Sequence, residues 1–196
     1  MEPSTATLVG GLTSLLPWSI KPLYGLMTDA VPICGYRRKP YTIIGGVVMT
    51  VSWFGMALCT TKLWHAIIFL TLGNVAAAAV NVCAEAVTVE CSNDRSFGRA
   101  ATLQSWQWGS NMLASIIGSI IGGYALDSIG QKPLFLATGC VAIIQIPAAF
   151  VADEEAYQSE QGYKAIVKEW WAALQACINH QMTLHVLIFV LSLIHI

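Results

Sequence analysis

The chain has 196 residues, 56% of them hydrophobic and only 11% charged, with seven Trp and a mean hydropathy of +0.62. Soluble domains carry about 25% charged residues, so a soluble globule is excluded as the leading reading. A net charge of -1 and a pI near 6.4 exclude a nucleic-acid binder, which needs a basic face to neutralise phosphates.

Crossing about 30 Å of hydrocarbon takes roughly 20 apolar residues in helical form. Charge-free runs of that order cover residues 3–20, 41–61, 63–84, 100–126, 133–152 and 170–196. They are continuous rather than alternating, which excludes a β-barrel and predicts an all-α polytopic membrane protein. Six helices are expected, at about 5–27 (interrupted by Lys21), 41–61, 63–87, 101–126, 134–151 and 175–196. Residues 1–152 would form an incomplete N-terminal bundle of five spans, 153–174 a charged central loop, and 175–196 the start of a second half.

The first span holds Lys21 at some depth and ends at Asp29. The chain then turns through Pro32 and Gly35 and meets Arg37, Arg38 and Lys39 as it re-enters the membrane. Gly and Pro set such a turn, and carboxylate and guanidinium groups can bridge the helix ends. In the third helix Asn74, Asn81, Glu85 and Thr88 fall at i, i+7, i+11 and i+14, one face, with the alanine run 76–79 offering close helix contact. The fourth helix carries a second stripe, Gln104, Trp108, Asn111, Ser115, Gly118 and Gly122. Two polar stripes on charge-free helices predict a shared water-accessible cavity, because polar groups are expensive in lipid.

Other roles compete at several positions. Asn74, Ser115 and the glycines at 118 and 122 suit helix-to-helix adhesion as well as a ligand. Lys21 could snorkel to the interface. Glu85 could pair with Arg95 or Arg99, and Glu90 reads as structural. Trp64, Trp170 and Trp171 sit near span ends as belt anchors, whereas Trp18, Trp106 and Trp108 lie deeper and either pack helices or stack on a ligand ring.

If the helices alternate in direction, the turns at 28–40, 88–100 and 152–174 share one side, holding Arg37, Arg38, Lys39, Arg95, Arg99, Lys164 and Lys168. The other side holds only Lys62 and Lys132, so the first side is expected to be cytoplasmic. Met1 would then lie outside, and an earlier span is expected before it. The start lacks the basic stretch of a secretory signal, so no cleaved peptide is expected. Six scattered cysteines and four histidines, without C-x-x-C or H-E-x-x-H spacing, suggest neither a metal site nor a disulfide framework. No cofactor and no enzymatic nucleophile set is read.

Residues Pro17-Trp18-Ser19-Ile20-Lys21-Pro22-Leu23-Tyr24-Gly25 and Gly35-Tyr36-Arg37-Arg38-Lys39-Pro40-Tyr41 closely resemble the hallmarks P-W-x-I-K-P-L-Y-G and G-Y-R-R-x-P-Y of the folate-biopterin transporter family, which is related to the major facilitator superfamily. The Gly25, Asp29, Gly35, Arg37, Arg38 skeleton also resembles the facilitator loop between the second and third helices. Residues 93–100 and 127–135 are similar to later facilitator loops, and the glycine-rich 118–123 to the end of the fifth helix. The resemblance covers roughly residues 3–152.

That resemblance implies helices two to seven of a twelve-helix facilitator: a multi-pass protein of the plasma membrane or an organelle such as a plastid, and not an enzyme. It implies transport of a pteridine or folate substrate by alternating access, coupled to protons. Lys21 is then the candidate partner of the substrate carboxylate, with Asn81, Glu85, Gln104 and Asn111 as polar contacts. Glu85 is the candidate for proton coupling, and Asp29, Arg37, Arg38, Arg95 and Arg99 would hold an inner gate. The family usually has acids at the positions of Asn81, Glu85 and Glu90; Asn81 departs from this and leaves coupling to Glu85. A facilitator for another small organic solute and a non-transporting membrane scaffold subunit are the rival readings. Ionisable Lys21 and Glu85 inside spans weigh against the scaffold.

Overall fold

The computed structural model describes residues 3–92, 97–151, 154, 167–172 and 175–176. Its named elements are all helices: α1 (Pro3–Ser19), α2 (Lys21–Ala30), α3 (Lys39–Leu58), α4 (Leu63–Ser92), α5 (Phe97–Ile129) and α6 (Gln131–Val151). The all-α polytopic expectation holds. By length and composition α3, α4, α5 and α6 can each cross a bilayer. Almost all of the expected span at 175–196 lies outside the described residues, as does most of the central loop.

The first expected span is two helices. Pro22 opens α2, where its missing N–H costs nothing, but its ring excludes a continuous helix back through Trp18. Ile20 takes up the break with φ -94 and ψ 14, and the Leu23 N–H reaches the Ile20 carbonyl at 2.9 Å. Lys21 thus begins a helix instead of interrupting one.

Other helices run past their apolar limits. α4 continues to Ser92 rather than 87, and α5 covers Phe97–Ile129 rather than 101–126. A charge marks where hydrocarbon ends, whereas a helix stops at a cap. For α5 that cap is Gly130, at φ 83, followed directly by α6.

α3 lies between α4 and α6, and adjacent glycines let both approach. A Cβ at Gly45 would collide with Val80 Cγ2 of α4, and one at Gly46 would stand 2.9 Å from Ile146 Cγ1 of α6. Near its far end Trp53 stacks on Phe135 of α6, ring centroids 5.9 Å apart. Along α4 the residues Gly73, Ala76 and Val80 meet α3, and Val82 faces Gly25 of α2. The alanine run therefore packs helices, as its composition suggests. α5 is different: among the described residues, none of its apolar span is buried.

Between α2 and α3 the chain makes a two-residue turn. Ile33 and Tyr36 exchange both backbone hydrogen bonds at 3.0 Å, with Cys34 at φ 53 and Gly35 at φ 79. Positive φ at both central residues is the type I′ pattern. The Tyr41 hydroxyl donates to the Val31 carbonyl at 2.6 Å and ties the loop to the start of α3.

Candidate functional site

Two charged layers lie along the α2/α4 pair. In the first, the Lys21 ammonium donates to Asn81 Oδ1 at 2.5 Å and to Glu85 Oε1 at 3.1 Å. It also stands 4.7 Å from the centre of the Trp18 ring. Asn81 and Glu85 are one helical turn apart, so they present neighbouring acceptors to a single cation. The α2/α4 contact at Gly25 and Val82 brings Lys21 within their reach. The pair is half-buried, with the Lys21 side chain 25% and the Glu85 side chain 37% exposed.

The second layer surrounds Arg38, at the N-terminus of α3. Its Nη2 donates to Asp29 Oδ1 at 3.2 Å and to Glu90 Oε1 at 2.6 Å, while Nε reaches the same Glu90 oxygen at 3.2 Å. Arg38 is almost fully buried. Burial alone would lower its pKa, but the Glu90 hydrogen bond and the charges of Glu90 and Asp29 outweigh this and hold it above the ordinary arginine value.

Glu154, just beyond α6, completes this layer. Its Oε1 accepts the backbone N–H groups of Arg37 and Arg38, each at 2.8 Å, and its Oε2 accepts that of Lys39 at 2.7 Å. The first backbone donors of a helix lack internal partners and carry partial positive charge, so a carboxylate satisfies both needs. The ends of α2 and α4, the start of α3 and Glu154, three residues past α6, therefore share one side, as an alternating topology requires.

Helix geometry separates the layers. From Lys21 to Asp29 along α2, and from Asn81 to Glu90 along α4, the rise is roughly 12–14 Å. The Lys21 layer thus lies between two and three helical turns from the Arg38 layer.

The expected residues divide accordingly. Lys21, Asn81 and Glu85 come together. Glu85 pairs with Lys21, because α2 is packed on α4 at that height. Arg95 lies outside the described residues, and of Arg99 only its helical backbone is described. Lys21 is held by its two acceptors on α4. Gln104 and Asn111 are exposed on α5, and no hydrogen bond joins either to the Lys21 cluster among the described residues. Asn74 and Thr88 bond to their own helix, at the carbonyls of Leu70 and Ala84.

Of the expected gate residues, Asp29 and Arg38 join directly, and Arg37 contributes its backbone N–H. Sequence reasoning missed Glu154 altogether and did not connect Glu90 to Arg38. The shared side of their helix ends was the available signal for both, but side alone does not choose among several acids.

An all-α bundle with four helices long and apolar enough to cross a bilayer, a cation and carboxylate paired between helices and a charged layer where helix ends meet defines an integral membrane protein. A family model described as the BT1 family matches residues 1–195, and the chain belongs to that family. The resemblance read from residues 17–41 therefore holds. The chain is 31% identical over 163 residues to probable folate-biopterin transporter 4 of Arabidopsis thaliana, covering 82% of the chain and 33% of that relative. It is 28% identical over 162 residues to the folate-biopterin transporter of Synechocystis sp., 81% and 33% of the two chains. To folate transporter 1 of Plasmodium falciparum it is 29% identical over 154 residues, 78% of the chain and 30% of that relative. The chain thus spans about a third of the length of these relatives. No solved structure matches it.

Proposed function

We propose that this chain carries the binding lysine of a secondary transporter for folate- and biopterin-like pteridines, working by alternating access and coupled to protons. The observation that supports this most is the Lys21–Asn81–Glu85 cluster, which joins a cation to two polar acceptors across two helices of an apolar bundle. A charged group in lipid costs several kcal/mol, and a purely structural helix contact has cheaper solutions in small residues. The relatives named as folate and folate-biopterin transporters support the substrate class.

A folate-like substrate presents an aromatic pteridine and carboxylates. Lys21 is the cation for a carboxylate, with Asn81 and Glu85 beside it and Trp18 offering a ring face. Gln104 and Asn111 on the exposed face of α5 are further polar contacts of the substrate path. Glu85 is the proton-coupling group, since a carboxylate in a low-dielectric site can exchange a proton as its charged partners change. At the cytoplasmic rim Asp29, Arg37 and Arg38, with Arg95 and Arg99 a few residues after Glu90 in the chain, form the inner gate whose ion pairs break as the halves rock.

Uptake of labelled folate and biopterin by the complete gene product in a transport-deficient cell tests the proposal. Both should enter, and Lys21→Ala should reduce folate uptake more than biopterin uptake. Equal losses would remove the carboxylate role of Lys21. No uptake of either by a protein that reaches the membrane would favour the scaffold reading.

A further inference from the structure

The Lys21 ammonium has three N–H bonds, and its surroundings already supply three partners. Asn81 Oδ1 stands at 2.5 Å, Glu85 Oε1 at 3.1 Å and the Trp18 ring face at 4.7 Å. An incoming carboxylate therefore competes with members of this shell for the same cation.

Geometry and charge select which one. The Glu85 side chain is 37% exposed, which leaves it room to swing away when it is released. It is also the only anion among the three. Displacing neutral Asn81 would leave two carboxylates on one cation, whereas displacing Glu85 keeps one negative charge against Lys21 throughout. A ligand without a carboxylate has no reason to disturb the pair.

We propose that Glu85 is an internal stand-in for the ligand's carboxylate. It neutralises Lys21 while the site is empty and is exchanged for the carboxylate of an incoming folate-like ligand. Glu85 thereby sets the preference between carboxylate-bearing and carboxylate-free pteridines. The proposal rests on the reading of Lys21 as the carboxylate-binding residue and adds that Glu85 competes for the same cation. It also links ligand entry to the release of Glu85 from its ion pair.

Equilibrium binding of labelled folate and biopterin to the complete gene product in lipid nanodiscs tests the exchange. Glu85→Gln retains an acceptor but removes the competing charge. It should raise the folate-to-biopterin affinity ratio about fivefold, the scale of one part-exposed ion pair. Added to Lys21→Ala, the same change should no longer shift the ratio. If Glu85→Gln does not accumulate, Glu85→Asp, whose shorter arm withdraws the carboxylate, should move the ratio in the same direction. A ratio unchanged or lowered by the Glu85 substitution, while Lys21→Ala still weakens folate selectively, overturns the competition and leaves the binding lysine standing. A ratio indifferent to Lys21→Ala defeats the binding lysine itself, and the exchange with it.

Discussion

The backbone N–H of Arg38 donates to Glu154 Oε1 at 2.8 Å, although 116 residues separate the two in the chain. The same carboxylate accepts from Arg37 and Lys39, so one residue beyond α6 caps α3. Meanwhile the Arg38 side chain turns to Asp29 and Glu90. The basic loop is thus held twice: by its backbone to the segment after α6, and by its guanidinium to the ends of α2 and α4.

Removing that cap should loosen the whole rim. Glu154→Ala is expected to lower stability by about 1–2 kcal/mol, the range of a lost helix N-cap. Glu154→Gln, which keeps one acceptor oxygen but no charge, should fall between the two. Thermal unfolding of the purified protein in detergent measures the order; a melting temperature indifferent to Glu154→Ala would show that the cap contributes nothing.

The two acids around Arg38 should not be equivalent. Glu90 receives two guanidinium N–H groups, the nearer at 2.6 Å, whereas Asp29 receives one at 3.2 Å. Both carboxylates are partly exposed, so each loss is limited to about 1 kcal/mol, with Glu90→Gln costing more than Asp29→Asn. Unfolding midpoints of the two variants compare them directly. In transport, Asp29→Asn should reduce the rate more than the substrate affinity if the gate reading is right.

This network should also resist alkali. The folded-state pKa of Arg38 is raised, so its contribution is fully present below the unfolded arginine value and is lost only as pH rises through the still higher folded one. That window lies at strongly alkaline pH. Stability measured between pH 8 and pH 10 should show no step that Arg38→Lys removes.

Glycines in two helices should behave oppositely. Gly45→Ala and Gly55→Ala place a Cβ against Val80 and the Phe69 ring, and should cost about 1–3 kcal/mol through overpacking. Around Gly118 a Cβ meets nothing within 4 Å, so Gly118→Ala should be neutral or stabilising by up to about 1 kcal/mol. Melting temperatures of the three variants decide the matter; a large loss at Gly118 would reveal a partner packed on α5.

Cys34 holds φ 53, a conformation that costs a side chain unless it is short and polar. Cys34→Asn should therefore raise stability by about 0.5–1 kcal/mol, and Gly35→Ala, at φ 79, should lower it by a similar amount. Paired unfolding curves would expose an opposite ordering.

By itself the sequence determined the solvent in which this protein lives and most of its helices. Charge-free runs near 20 residues long have one stable form in lipid, because every backbone group must find its partner locally. The family was visible as the pattern around Lys21 and Arg38, whereas the break was expected at Lys21 and falls at Ile20, ahead of Pro22. Those are local properties, and local order in the chain suffices to state them. Tertiary structure alone decided the pairings: Lys21 with Glu85, Arg38 with Glu90, and Glu154 with the amides of residues 37–39. Each joins residues 50 or more positions apart. Which acid meets which cation depends on the height and rotation of one helix against another. Those are set by small contacts such as Gly25 on Val82 and Gly45 on Val80, and no charge pattern encodes them.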